Sequence, residues 1–264
     1  MVFTIHCRDF GCNSLFRHPD WNRVEPLLYL FANHVALRMR RQRSAIPDAI
    51  ILLIWGIHIM VFVFFVPPWQ HYDEPTHLEY ALLIRKLGHV PAYDENIPAV
   101  RRAIAASMLA AGFFQHPQTM LTPPDLNDPN LVIGFNQRTH PPLYYRLVAA
   151  VLRPFHATPL ATQLIAARLC SATIAVLLFY SVIHLLRQIG FTNQTRVAIL
   201  MVLAFHPVLA DTMSSVNSDC LANLVAVWIM MIGIGFVRHP HWKWFIAGVA
   251  IAVLAMHVKR VLIV

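Results

Sequence analysis

The sequence is short of charge. Of its 264 residues only 13% are Asp, Glu, Lys or Arg, against roughly 25% in a soluble globular domain. Because 57% of the chain is hydrophobic and the mean hydropathy is +0.54, that scarcity excludes a water-soluble fold and reads as a multi-pass membrane protein. Cysteine is scarce too. Cys7, Cys12, Cys170 and Cys220 lie far apart with no CxxC spacing, which argues against a zinc site or a disulfide framework. Cys170 and Cys220 read as small apolar packers in helices. There is no internal repeat and no low-complexity segment. No cleavable signal peptide is evident, since the first apolar run begins near Ala49 and is too long for a signal core. Acids thin out along the chain, and after Asp128 only Asp211 and Asp219 remain.

What is present is basic and apolar. The formal net charge is +8, but no aromatic-basic platform or finger spacing accompanies it, so nucleic acid is excluded as a partner. The densest basic group, Arg38, Arg40, Arg41 and Arg43, immediately precedes an apolar run, the placement of a cytoplasmic anchor. Residues 1–38 show no heptad, amphipathic period or cap pattern and read as a poorly defined extension. Met39-Arg40-Arg41-Gln42-Arg43 is the expected true start of the membrane domain, 39–264.

Ala49 to Val66 is uncharged and matches the roughly 17–25 residues that cross a bilayer, with His58 near its middle as a neutral histidine bonded to a neighbouring helix. A long non-spanning loop follows, residues 67–159, rich in proline and holding most of the acids. It opens with Pro67-Pro68-Trp69-Gln70-His71-Tyr72-Asp73-Glu74-Pro75-Thr76-His77, where two adjacent carboxylates and two flanking histidines emerge as a membrane helix ends. Pro75 suits the first turn of a helix, Asp73 or Glu74 its cap, and Gly88 its end. Surface helices are expected over Pro98 to Phe114 and Leu143 to Phe155. In the second, Leu143, Leu147 and Val151 form an apolar stripe opposite Arg146 and Arg153.

Further spans are expected at Leu169 to Leu186, Val197 to Ala210, Cys220 to Val237 and Trp244 to Val258. An exposed turn runs from Asp211 to Asp219, and Lys259-Arg260 follows the last span. On this topology Asp73-Glu74 with His77, then Asn217 with Asp219, then Lys259-Arg260 reach one face. Carboxylates there suit base or metal work and cations suit a phosphate.

The order of these features resembles the GT-C glycosyltransferases. It comprises one helix, a large loop opening on an acidic pair, Pro-Pro-Leu-Tyr-Tyr (residues 141–145), Ala167-Arg168-Leu169, an Asn-x-Asp turn at 217–219 and a later Lys259. The protein O-mannosyltransferase and aminoarabinose-transferase branch, with related bacterial membrane proteins, is the most similar, over Ile50 to Val264. The resemblance implies an all-α multi-pass bundle with a large extracytoplasmic first loop, placed in a bacterial inner membrane with its N-terminus cytoplasmic. It also implies inverting transfer of a sugar from a polyprenyl-phosphate donor, with membrane lipids around the protein and an acceptor that is not specified.

In that family's pattern Asp73 is the base toward the acceptor and Glu74 supports it or helps hold a divalent cation. Asp219, with Asn217, forms the second acidic motif. Lys259, with Arg260, meets the carrier phosphate, and His77 and His140 line the substrate. His140 stands where the aminoarabinose branch has a lysine. Family members continue through more helices, so the chain is expected to be the front part of a longer enzyme.

Blander readings stand beside these. Asp73-Glu74 can be a helix cap, Tyr144 and Tyr145 interface-belt aromatics, and Lys259-Arg260 a snorkelling pair. His239 and His241 read as connection residues. A rival function is a transporter or non-catalytic membrane component, whose marks would be ionisable groups near the midplane and broken helices, and another is an inactive remnant.

Overall fold

Long apolar runs with no water to satisfy their peptide groups must close their hydrogen bonds internally, and here they do so as helices. The structure, a computed structural model, describes residues 46–71, 73–92, 94–115 and 122–259. The described residues from Pro47 onward belong to one compact unit. The expected start at Met39, the 1–38 extension and Arg260 lie outside the described residues. Every regular element among the described residues is helical.

Three helices are long and apolar enough to cross a membrane, α1 (Ile46–Phe65), α5 (Leu160–Ile189) and α8 (Asp219–Arg238). This is a membrane protein by the length and apolarity of its helices. Each of the three turns large apolar side chains outward, among them Leu53 and Phe65 of α1, Leu177 of α5 and Val237 of α8, as a lipid-facing surface requires. The loop between α1 and α5 contributes α2 (Glu74–Leu87), α3 (Pro98–Ala110) and α4 (Leu143–Val151). Between α5 and α8 lie α6 (Asn193–Ala204) and α7 (Pro207–Ser214), and α9 (Trp242–Met256) closes the described chain.

The expected span at Leu169 begins earlier, at Leu160, after Pro159. Its 30 residues reach about 45 Å at 1.5 Å per residue, more than the ~30 Å hydrocarbon core. The first turns therefore extend past the apolar window and pack on α4, and Arg168 sits inside the helix rather than at its boundary. The expected span from Val197 to Ala210 is two helices bent by 63°. Pro207 has no N–H and starts α7 as its first residue, while His206 caps that helix by accepting from the Leu209 amide at 3.1 Å. The Ala204 carbonyl at the break lies 2.7 Å from His58 Nδ1, which supplies the donor that the interrupted helix lacks.

Asp48 fastens the other end of α1. It accepts from Arg187 Nε and Nη2 at 3.0 and 2.6 Å and from Arg196 Nε at 3.1 Å, joining α1 to the end of α5 and the start of α6. Between the ends, Trp55 donates to the Ala175 carbonyl at 3.1 Å and stacks on Phe179, and Trp228 donates to Ser181 at 3.0 Å.

In the loop, α2 is buried from Glu74 through Ile84, so it is a core helix flanked by α3 and α4. Its start at Pro75 and its left-handed stop at Gly88 follow the sequence signals. Glu79 pairs with Arg101 at 2.7 Å, and Arg101 also donates to the Leu131 carbonyl. Arg85 donates to the Leu152 carbonyl and to Gln163. On α4 Leu147 and Val151 of the expected apolar stripe face outward, as a helix lying on a membrane surface requires, while Tyr144, Tyr145, Val148 and Leu152 are buried. The two tyrosines are therefore not belt aromatics. Their hydroxyls find partners inside, Tyr144 with Ser171 and Tyr145 with His77, each at 2.7 Å, and large aromatic rings so satisfied outcompete aliphatics for the core.

Where α8 and α9 pack, a Cβ on Gly235 would lie 2.9 Å from the Trp244 ring. Gly235→Ala is expected to destabilise the folded protein by about 1–3 kcal/mol through overpacking. Unfolding in detergent measures it, and most of the loss should return in Gly235→Ala/Trp244→Leu, where the ring is gone.

Candidate functional site

A guanidinium carries five N–H donors and cannot shed its charge, so a buried arginine is tolerable only where all five are used. Arg168, 1% exposed, uses all five. Nε and Nη2 grip the Glu74 carboxylate at 2.8 and 2.7 Å. Nη1 donates to the Val63 and Val66 carbonyls at 3.2 and 2.7 Å, and Nη2 to the Pro67 carbonyl at 3.0 Å. The last carbonyls of a helix have no partner within it. Arg168 satisfies that of Val63 in α1 and those of Val66 and Pro67 just beyond it, and ties them to the first residue of α2. Both Glu74 oxygens are thereby committed to Arg168.

The segment between these anchors is bent hard. Trp69 (φ 71°) and Asp73 (φ 53°) are the non-glycine residues with positive φ among the described residues. Side chains hold them there: Trp69 donates to Ser107 at 3.2 Å, His71 Nδ1 meets Asp211 Oδ1 at 2.8 Å, and Thr76 donates to the Asp73 carbonyl at 2.9 Å. Asp73 occupies the cap position of α2 but makes no side-chain cap bond. Its carboxyl stays partly exposed, and burial raises its pKa above the usual carboxylate value, partly offset by His140.

Around His77, one helical turn after Asp73, the fold gathers residues from four separate stretches. The His77 ring lies beside that of His140, centroids 6.3 Å apart, and its Nδ1 is 2.7 Å from the Tyr145 hydroxyl. Tyr145 is hydrogen-bonded to Ser218, and burial raises its pKa. The Asn217 side chain accepts from the Asp219 amide at 2.9 Å, and Lys259 is ion-paired with Asp219. Lys259 arrives because the Leu143 amide donates to the His257 carbonyl at 3.1 Å, fastening the end of α9 to the start of α4. Burial drives the His77 pKa down to about 3, with His140 and Lys259 acting the same way and Asp219 opposing them. The site thus offers a half-buried carboxylate, a neutral imidazole, a phenol and a lysine on a carboxylate. That set can accept a proton and meet an anion.

His77 therefore has His140, Asp219 and Lys259 as neighbours, Asn217 borders Asp219, and Asp73 shares only His140 with this group, while Glu74 is turned away into its clasp. The stretch from Asp211 to Asp219 is not an exposed turn. Asp211 belongs to α7, and Ser214, Ser215, Val216 and Ser218 are buried. Sequence reasoning passed over three residues, the anchor role of Arg168 and the His71 and Asp211 pair. A lone arginine within an otherwise apolar helix was the available signal for the first. Glu74 has no oxygen to spare and Asp219 is neutralised by Lys259, and among the described residues no three His, Cys, Asp or Glu converge on a metal position. No family model, curated protein or solved structure matches the chain.

Arg168→Met leaves Glu74 buried and unpaired and is expected to cost about 3–5 kcal/mol. The double variant Arg168→Met/Glu74→Leu should cost less than Arg168→Met alone, as read by unfolding in detergent. A pH effect follows from His77. Its folded pKa of about 3 lies below the free value of 6.5, so between those limits the unfolded chain binds a proton that the folded one refuses. The contribution is fully present above pH 6.5 and is lost as pH falls toward 3. Thermal midpoints across that range should fall less steeply in His77→Gln than in the parent protein.

Proposed function

We propose that the chain is a membrane glycosyltransferase that moves a sugar from a polyprenyl-phosphate carrier to a hydroxyl or amine acceptor at the outer face of a bacterial inner membrane. The end of α1 that holds Asp48 is then cytoplasmic. The observation that supports this reading is the meeting of His77, His140, Asp219 and Lys259, groups dispersed along the chain, with Asp73 beside His140.

In this reading Asp73 accepts the acceptor's proton as the acceptor oxygen or nitrogen bonds to the anomeric carbon. The bond from that carbon to the carrier phosphate breaks with its electron pair left on the phosphate. A carboxyl with a raised pKa suits the base, because proton affinity nearer the working pH strengthens general-base catalysis. Lys259 meets the phosphate, and Asp219 holds the ammonium until that anion competes for it. His77 and His140 line the sugar as hydrogen-bonding rings, and Asn217 fixes the backbone that presents Asp219. Attack opposite the departing phosphate inverts the anomeric centre.

A transport reading rests on a different observation, the 63° break between α6 and α7 with His58 beside it, since broken helices mark many transporter sites. One preparation separates the two. The full chain is reconstituted in proteoliposomes with radiolabelled polyprenyl-phosphate mannose or aminoarabinose on the outer leaflet, and both glycosylated product and label inside the vesicle are counted. The transferase reading expects product, a fall of roughly 10²–10⁴-fold in Asp73→Asn and a raised donor KM in Lys259→Ala. Transfer unchanged in Asp73→Asn removes Asp73 as the base, and uptake without product favours transport.

A further inference from the structure

His71 and Asp211 take no part in the transfer described above. The His71 side chain is wholly buried, and its Nδ1 lies 2.8 Å from Asp211 Oδ1, across 140 residues of sequence. Its second ring nitrogen, Nε2, is buried and has no hydrogen-bond partner among the described residues. A carboxylate facing Nδ1 selects the tautomer with the proton on Nδ1. Nε2 is then a bare lone pair, and a buried polar atom without a partner is a position that calls for a ligand.

The charges around the ring narrow the ligand's chemistry. Glu74 and Arg168 act on His71 with opposite sign and neutralise each other in their clasp, and Asp211 adds a negative charge. Burial lowers the pKa of the ring, so the imidazole is neutral. The surroundings are net negative, which favours a neutral hydroxyl or an ammonium and disfavours a phosphate or carboxylate. The ring lies two residues before Asp73. Asp211 belongs to α7, an eight-residue helix separated from α6 by the break at Phe205–His206, and its side chain is 42% exposed.

We infer that His71 Nε2 is a hydrogen-bond acceptor held for an O–H or N–H group of the substrate that receives the sugar, with Asp211 fixing the tautomer. Naming the sugar-receiving substrate rests on the transferase reading; the donor-binding chemistry of the site does not.

The test uses the full chain in lipid nanodiscs with isotope-labelled histidine, and His71→Gln assigns the His71 nitrogens by difference. Near neutral pH the His71 signal should show a proton on Nδ1 and none on Nε2. Ethanolamine, which carries a hydroxyl and an ammonium, should move the Nε2 resonance upfield in a saturable way, while acetate and inorganic phosphate leave it in place. Asp211→Leu should populate both tautomers and weaken the ethanolamine response by about tenfold, a loss of ~1.4 kcal/mol in binding. Asp211→Asn keeps an acceptor oxygen and should retain the tautomer, which serves if the leucine variant does not fold. A proton on Nε2, a resonance that ethanolamine does not move, or an equal response to phosphate overturns the assignment. If Nε2 responds while the proteoliposomes transfer no sugar, the transferase reading fails alone. Transfer with a silent Nε2 removes this site alone.

Discussion

A guanidinium buried at the end of a membrane helix is the constraint on which the rest of the structure depends. Arg168 cannot be neutralised, and its desolvation is offset only by Glu74 and by three carbonyls at the end of α1. Of these, the Pro67 carbonyl also accepts from the Gln70 amide, while those of Val63 and Val66 depend on Arg168 where water thins out. One side chain thus joins α1, α5 and the first residue of α2. The position of Asp73 follows, because its neighbour Glu74 cannot move without uncovering a charge. Lysine could not substitute, since its three donors on a single centre cannot serve a carboxylate fork and three carbonyls together.

Charge sets the register at the opposite end as well. Asp48 meets Arg187 and Arg196 there, so α1 is a strut fixed at both ends while much of its flank faces lipid. Lipid tails are as apolar as leucine, and apolar flanks alone give helices little reason to associate in one alignment. The polar ends and the buried bonds of Trp55, His58 and Trp228 supply that alignment.

Where the determinants are local, the sequence was legible. Pro75 and Gly88 delimit α2 because one fixes φ at a helix start and the other accepts the left-handed stop. The uncharged runs behind α1 and α8 follow from composition alone. What could not be read depends on partners far away in sequence. The buried face of α4 is decided by His77 and Ser171, which satisfy Tyr145 and Tyr144 from 68 and 27 residues away. The outward stripe of Leu147 and Val151 was legible from spacing, but the tyrosine face behind it was not. The serine-rich stretch after Asp211 looks solvated in sequence, yet Ser214 and Ser215 bond to the Asp211 and Thr212 carbonyls at 3.0 and 2.8 Å and can be buried at little cost. The bend before Pro207 was signalled by the proline, but the donor that makes it tolerable is His58.

Asp73 and Glu74 show why a motif underdetermines its chemistry. They are adjacent and of one type, and their environments differ entirely. Glu74 is sealed against a cation that takes both of its oxygens, which makes it a fixed counter-charge. Asp73 sits at a strained cap position with its carboxyl part open and its pKa raised, and it keeps free valence for chemistry. The same division separates His77, whose Nδ1 meets a tyrosine hydroxyl, from His71, whose second nitrogen has no donor among the described residues. Groups that are saturated hold the site in shape, and groups that the fold leaves unsaturated are those with something left to bind. On the proposed transfer, His71 and Asp73 are by that criterion the groups with something left to bind, whereas the Asp219 and Lys259 pair must part before either can.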